Sequence, residues 1–332
     1  AQIVATPPVN AGAVLVQATG SEAHLRELAA RAADRGFSLN AAALWRGSQF
    51  VATPDEETFY RALGLNPIPP ELREGMGEVA AATNGDLPRL VEQREIRGFL
   101  HCHTSYSDGS TTVEQLAQAC QAAGYEYLGI TDHSQAATYA GGLQADDLAR
   151  QADEIDEVNG RLEGFRVLKG IEADILQDGS VDFDRAVLER LDFVIASVHS
   201  RFNMGQKEMT ARMLAAMDNP YLTIIGHPTG RLLLSRDPYP IDMDAVMEKA
   251  VATGVALEIN ADPHRLDLDW RLVKQARDRG VAISIGADAH SVGGLGYMEY
   301  GISMARKGWL GAGDILNARP VGEFVAYARR RR

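Results

Sequence analysis

From Ile96 onward the chain alternates short apolar stretches with amphipathic helical ones, and few folds accept that pattern. The strand candidates are 98–103, 125–131, 165–172, 193–199, 222–227, 255–260 and 281–288. Helical spacing falls between them, over 113–123, 145–162, 207–218, 243–253 and 270–279, with a shorter piece near 183–190. Such alternation predicts a parallel α/β arrangement. About seven units point to a closed (β/α) barrel, and in such barrels the chemistry sits at the C-terminal ends of the strands.

The residues at those ends share one chemistry. The first strand ends in His101 and His103, with Asp108 in the Ser/Gly turn that follows. On a strand these two histidines share a face, and Cys102 takes the other. The second strand leads to His133, the third to Glu172, the fourth to His199 and the fifth to His227. The seventh ends in Asp288 and His290, again two apart, while the sixth ends in Asn260. Of the 8 histidines, only His24 and His264 stand elsewhere, so the placement is not random. Nine nitrogen and oxygen donors exceed the needs of one tetrahedral ion. They suit two or three divalent ions, with Glu172 a natural bridge. Ions about 4 Å apart can activate a water and clamp a phosphoryl oxygen together.

The motifs His101-Cys102-His103 with Asp108-Gly109, Thr131-Asp132-His133, Glu172, Val198-His199, Gly226-His227-Pro228 and Asp288-Ala289-His290 occur in the order of the PHP (polymerase and histidinol phosphatase) family. The resemblance covers residues 96–332. It implies a distorted (β/α)7 barrel with a trinuclear site. One metal would take His101, His103, Glu172 and Asp288, which are the expected catalytic core. A second would take Glu172, His199 and His227, and a third Asp108, His133 and His290. Phe99 stands where the family often has an acidic residue, and it is expected to face away from the site.

The N-terminal part reads differently. Residues 13–17 form an apolar run expected to be a strand, and Ser21 is a plausible cap for a helix over 22–35 that Gly36 ends. A second helix should open at Pro54-Asp55-Glu56-Glu57 and stop at Gly64. His24 is read as a surface histidine. Thr19-Gly20-Ser21-Glu22-Ala23-His24, Gly36-Phe37-Ser38-Leu39-Asn40, Tyr60-Arg61-Ala62-Leu63-Gly64-Leu65 and Ile68-Pro69-Pro70-Glu71-Leu72-Arg73-Glu74 resemble the end of the palm and the thumb of family X DNA polymerases. The third palm carboxylate of that family should fall near Gln2, on a strand over residues 1–5, and no Asp or Glu is there. Gln17-Ala18 replaces the aromatic pair often found before the Thr-Gly-Ser turn. The chain as given should not polymerise DNA.

The expected organisation is a palm end over 1–19, a thumb-like α+β subdomain over 20–76, a linker over 77–95 and the PHP domain over 96–332. That order is the one found in bacterial family X polymerases, and it implies an upstream polymerase domain in the same native protein. The first residue is Ala, which suggests a fragment or a processed chain.

Composition narrows the partners. A net charge of -12 argues against bulk, nonspecific duplex binding. It leaves open a metal-bridged contact with phosphate, because bound cations invert the local sign. No apolar run spans a bilayer and no signal peptide opens the chain. Cys102 and Cys120 make no disulfide framework, which fits a reducing cytoplasm. The basic tail 329–332 is read as a solvated terminus.

Arg201, Lys207, Arg231 and Arg265 follow strand ends, where each could contact a substrate phosphate or remain a surface charge; Arg231 and Arg265 are the stronger candidates. Phe202 and Met204 offer either a stacking surface or loop anchors. Asp132 is expected to orient its neighbours rather than bind metal. Gly293, Gly294 and Gly296 read as a turn before a helix near 298–307.

The resemblance implies a Zn- or Mn-dependent phosphoesterase, Mn serving activity, that acts at DNA 3′ ends as a 3′-5′ exonuclease by metal-activated hydroxide attack on phosphorus. Two other readings use the same donors: a phosphomonoesterase of the histidinol-phosphatase kind, and a metal-stabilised module that braces a polymerase.

Overall fold

The computed structural model describes residues 4–40 and 42–332. The chain divides into two compact units after Arg89.

The first unit opens with helix α1 (Ala11–Thr19) where a strand was expected over 13–17. An apolar run of that length fits either element. Here Ala13 and Val16, three apart, are buried while Leu15 is exposed, which is helical spacing. Gly12 lies against the backbone of Asp55, where no side chain would fit. The strand expected over 1–5, with the position of the missing palm carboxylate, falls largely outside the described residues. Helix α2 (Glu22–Asp34) is capped by Ser21, whose hydroxyl accepts the His24 amide. Strands β1 (Ser38–Asn40), β2 (Ala43–Arg46) and β3 (Gln49–Val51) form an antiparallel sheet. Helices α3 (Glu56–Ala62) and α4 (Glu78–Asn84) complete the unit.

His24 is not on the surface. It is fully buried, with Nδ1 2.7 Å from Glu78 Oε1. The Glu78 carboxylate also accepts the amides of Gly75 and Met76. Burial raises the Glu78 pKa, but these hydrogen bonds outweigh burial and hold it below the usual carboxylate range. Arg73 is buried as well; its guanidinium donates to the Ile68 carbonyl and to Glu56.

In the second unit the parallel strands are β4 (Gly98–Cys102), β5 (Tyr127–Ile130), β6 (Arg166–Lys169), β7 (Glu172–Asp174), β8 (Ile195–Ser197), β9 (Ile224–Ile225), β10 (Ala256–Asn260) and β11 (Ile283–Ala289). Between and after them run α5 (Val113–Ala122), α6 (Ala145–Arg161), α7 (Arg185–Leu188), α8 (Gln206–Ala216), α9 (Met243–Thr253), α10 (Trp270–Asp278), α11 (Met298–Lys307) and α12 (Val321–Arg329). The sheet order is β6-β5-β4-β11-β10-β9-β8-β7.

The two ends of that order are halves of the third expected strand, kinked at Gly170-Ile171. Its lower half pairs with β5 and its upper half with β8. Each half also bonds to the opposite neighbour: the Asp192 amide donates to the Lys169 carbonyl, and the Glu172 amide donates to the Asp132 carbonyl. The ring is therefore closed, as a seven-stranded barrel with one bent strand. A Cβ at Gly170 would strike Phe193 and the Ile130 carbonyl, so the kink needs glycine.

The lower half of the barrel interior is apolar, filled by Leu100, Tyr127, Leu168, Phe193, Ile195 and Ile224, with Phe324 of α12 packed against them. This layer closes the bottom and leaves the polar layer at the top. The basic tail does not float in solvent. Arg331 donates to the carbonyls of Met217 and Leu222, and Arg332 donates to those of Leu191 and Asp192. No helix among the described residues is long and apolar enough to cross a membrane.

Candidate metal centre

All nine expected donors lie at the top of the barrel, in four overlapping groups whose donor atoms fall within 4.8 Å of one another. The groups are His101, His103 and Glu172; His101, His227 and Asp288; His133, Glu172 and His199; and His103, Asp108, His133 and His290. The grouping differs in detail from the expected one. His133 sits with Glu172 and His199 as well as at the outer group, and His227 sits with His101 and Asp288.

Glu172 is the centre. Its Oε1 lies 3.2 Å from His101 Nε2, 3.3 Å from His199 Nε2 and 3.0 Å from His227 Nε2. Its Oε2 lies 3.0 Å from His133 Nδ1 and 3.7 Å from His103 Nε2. Asp288 Oδ1 stands 3.1 Å from His103 Nε2 and 3.6 Å from His101 Nε2. A tetrahedral ion with bonds of about 2.0–2.1 Å holds its ligand atoms roughly 3.3 Å apart. The observed separations are edges of such polyhedra.

The side chains fit metal ions on a second ground. His101 Nε2, His103 Nδ1, His133 Nδ1, His227 Nδ1 and Glu172 Oε2 are buried without a well-formed hydrogen bond. Such atoms are costly to bury unless something binds them. Burial would raise the pKa of Glu172 and Asp288, yet the surrounding imidazoles hold both well below the usual range. Burial, then the nearby Arg265 charge, pushes His227 down to about 4. The carboxylates and His227 are thus in the states that ligate. Burial would lower His101, His199 and His290 too, but the neighbouring carboxylates hold His101 well above its usual value and His199 and His290 up at about 9. These imidazoles must release a proton to bind metal. Burial is graded. Glu172 and His103 are fully enclosed, while the side chains of Asp108 and His290 are 34% and 41% exposed. The residues define a divalent-metal site whose outer group opens to solvent.

Local backbone aims several donors. His101 has φ 57°, His227 26° and Asp288 50°. On β4, Leu100 faces the barrel interior and Phe99 packs outside it. Strict alternation would send His101 outward with Phe99. The left-handed conformation at His101 turns it inward instead. On β9, Ile224 faces in and Ile225 out, and His227 is turned in by the same device. Phe99 does face away, against Tyr125, in alternation with the inward Leu100; the break at His101 is what sends that donor to the opposite side from Phe99.

Two carboxylates escaped the sequence reading. Glu258, fully buried on β10, has Oε1 2.5 Å from His101 Nδ1, and its Oε2 accepts the His227 amide at 2.7 Å. Asp174 Oδ1 lies 2.7 Å from His199 Nδ1. Both orient ligand imidazoles through the nitrogen opposite the site. Their signal was an acid inside an apolar strand, two residues before Asn260 or after Glu172. Asn260 itself donates to Asp288 Oδ2. Asp132 accepts from the Thr104 and Ser107 backbone and from Gln151, and so braces the first loop.

The two arginines part company. Arg265 Nε lies 3.3 Å from Asp288 Oδ2, at the site. Arg231 spends its guanidinium on the carbonyls of Arg265 and Leu266 and on Asp269. It braces the loop that carries Arg265, which is the physical reason it does not face the donors as expected. Arg201 and Lys207 are exposed and His264 makes no ligand contact among the described residues. Phe202 is stacked between Tyr239 and the Arg236 guanidinium, so it is a loop anchor.

Comparison with known proteins agrees with this architecture. The family model for the DNA polymerase beta thumb matches residues 14–74, and that for the PHP domain matches residues 100–262. Fold and site thus define a PHP-domain protein that carries a polymerase thumb. The chain is 42% identical over 315 residues to the DNA polymerase/3′-5′ exonuclease PolX of Bacillus subtilis, an alignment that covers 94% of this chain and 55% of that protein. The chain belongs to the family X DNA polymerases and corresponds to their C-terminal part, thumb followed by PHP domain. It spans about half the length of that relative. A "probable phosphatase" of Thermoanaerobacter is 27% identical over 243 residues, 70% of this chain and 94% of the relative. A solved histidinol phosphate phosphatase of Lactococcus lactis, complexed with zinc, L-histidinol and phosphate, is 16% identical, with a TM-score of 0.45 over 65% of this chain and 95% of that one.

Proposed function

We propose that this chain hydrolyses phosphodiester bonds at DNA 3′ ends, as the exonuclease part of a family X polymerase. The observation that carries the reading is the convergence of nine donors on Glu172 at the strand ends. The thumb and the similarity to a polymerase/3′-5′ exonuclease favour a polymer end as substrate. The native partner is then DNA in the bacterial cytoplasm, with a polymerase half in the same protein.

Two or three divalent ions held here would supply Lewis acidity toward a phosphoryl oxygen and an acidified water. Imidazole donors suit Zn, and carboxylate with water suits Mn; Mn is proposed for activity. His101, His103, Glu172 and Asp288 would hold an ion at the inner position. Glu172 directs one oxygen toward His101, His199 and His227 and the other toward His103 and His133. Asp108, His133 and His290 form the outer position, where a phosphate arriving from solvent first meets the protein. Arg265 adds a cation beside Asp288 for a nonbridging oxygen.

The test is a 5′-labelled oligonucleotide with a 3′-OH, incubated in Mn²⁺ with the chain or with His103→Ala. A ladder shortening from the 3′ end, absent in the variant, is expected. A chain that leaves the oligonucleotide intact but releases phosphate from small phosphomonoesters would overturn the exonuclease reading in favour of a monoesterase. Loss of stability on chelation with neither activity would leave only a structural metal module.

A further inference from the structure

Tyr139 is an aromatic side chain held in water beside the donors. It lies on a short 3-10 turn, Thr138–Ala140, after β5. Its relative exposure is 68%, yet its ring centroid is 6.1 Å from that of His133 and 6.2 Å from that of His199. Among the described residues of the second unit, Tyr300 is the other large exposed aromatic, and no ring contact joins it to a ligand histidine.

The turn is a fixed platform. Ala137 and Ala140 are buried beneath it. Asp182 accepts the Ala136 amide at 2.9 Å and the Gln135 side chain at 3.0 Å. The Leu143 amide returns to the His133 carbonyl at 2.9 Å. A Cβ at Gly142 would strike the Ser134 carbonyl oxygen, so the loop closes tightly on itself. A ring left in water on such a turn gains when a flat apolar partner covers it.

Tyr139 follows β5 and Arg265 follows β10, strands that are not neighbours in the sheet order. The site thus has a flat apolar face beside His133 and His199 and a cation beside Asp288. A nucleotide is built to match, with an anionic phosphate one sugar away from a stackable base.

We infer that Tyr139 is the face on which the 3′-terminal nucleobase stacks, and that it makes cleavage depend on the presence of that base. The inference rests on the exonuclease reading. Stacking of this kind tolerates every base, because every base has a π-face.

The test uses two 5′-labelled oligonucleotides in Mn²⁺. They are identical except that one ends in an ordinary nucleotide and the other in an abasic tetrahydrofuran residue. At low substrate concentration the chain is expected to remove the base-bearing residue roughly tenfold faster. Tyr139→Ala is expected to lose this preference through a raised KM on the base-bearing end. Tyr139→Phe keeps the ring and is expected to keep the preference. Retention of the preference by the Ala variant, or its full loss in the Phe variant, would overturn the inference. Equal shortening of both ends by the unmutated chain would also overturn it while leaving the exonuclease reading intact. If that chain shortens neither, the exonuclease reading falls and the inference with it.

Discussion

Glu258 Oε1 sits 2.5 Å from His101 Nδ1, and the second oxygen of the same carboxylate takes the His227 amide at 2.7 Å. One buried acid on the strand without a ligand thus holds two of the three donors with left-handed backbone. Left-handed conformations at non-glycine residues cost on the order of 1–3 kcal/mol each and persist where neighbours over-determine them. Glu258→Gln keeps the shape but removes the charge that fixes the imidazole. It should lower affinity for divalent metal by about 10- to 100-fold. Competition with a chelating dye measures this directly, and unchanged metal retention would refute the positioning role.

Arg265 and Arg231, adjacent in space, should behave as opposites. Arg265→Ala should weaken capture of oligonucleotide 3′ ends, about tenfold in KM, with little change in the unfolding midpoint. Arg231→Ala strips partners from two carbonyls and Asp269, and should cost about 1–3 kcal/mol of stability. Steady-state kinetics beside denaturant unfolding of both variants separates the roles. Equal effects on both axes would count against the division.

The thumb unit should be acid-sensitive through Glu78. Its folded pKa lies below the ordinary value of 4.5. A depressed carboxyl contributes stability that is present above the unfolded pKa and lost as pH falls through the folded one. Unfolding followed from pH 6 down to about pH 3 should show that loss in the first unit. Glu78→Gln should start about 1–3 kcal/mol less stable and show a shallower acid slope. Parallel acid slopes for the two proteins would refute the assignment.

The tail gives a structural prediction. Removing Arg331 and Arg332 leaves the carbonyls of Met217, Leu222 and Leu191 without those donors. The deletion should lower the unfolding free energy of the second unit by about 1–3 kcal/mol. An unchanged thermal midpoint would return the tail to the status of a free terminus.

Much of this molecule is legible in its residues. The nine donors stand out because histidine and acid at successive strand ends have no packing purpose there. Strands and helices of the barrel emerge from period alone, with ends trimmed by a few residues. What stays hidden is backbone sign. Nothing about a Leu100-His101-Cys102 run announces φ 57° at its centre, and parity argued from Leu100 would aim His101 outward. Helix α1 was hidden because an apolar pentapeptide lacks the length to display a period. His24 was hidden because its partner, Glu78, lies 54 residues away. Glu258 was hidden because an acid that touches no metal reads as an oddity in a strand rather than as a support.

The kink at Gly170-Ile171 has a bearing on solubility. Parallel strands as short as the two residues of β9 leave little of their own to shield a sheet margin. Unpaired margins are where chains zip onto one another and aggregate. Here both margins of the sheet order belong to a single bent strand, and each is already claimed by backbone bonds from its other neighbour. The bend that carries Glu172 to the centre of the donors also removes the seam at which a second molecule could begin to pair.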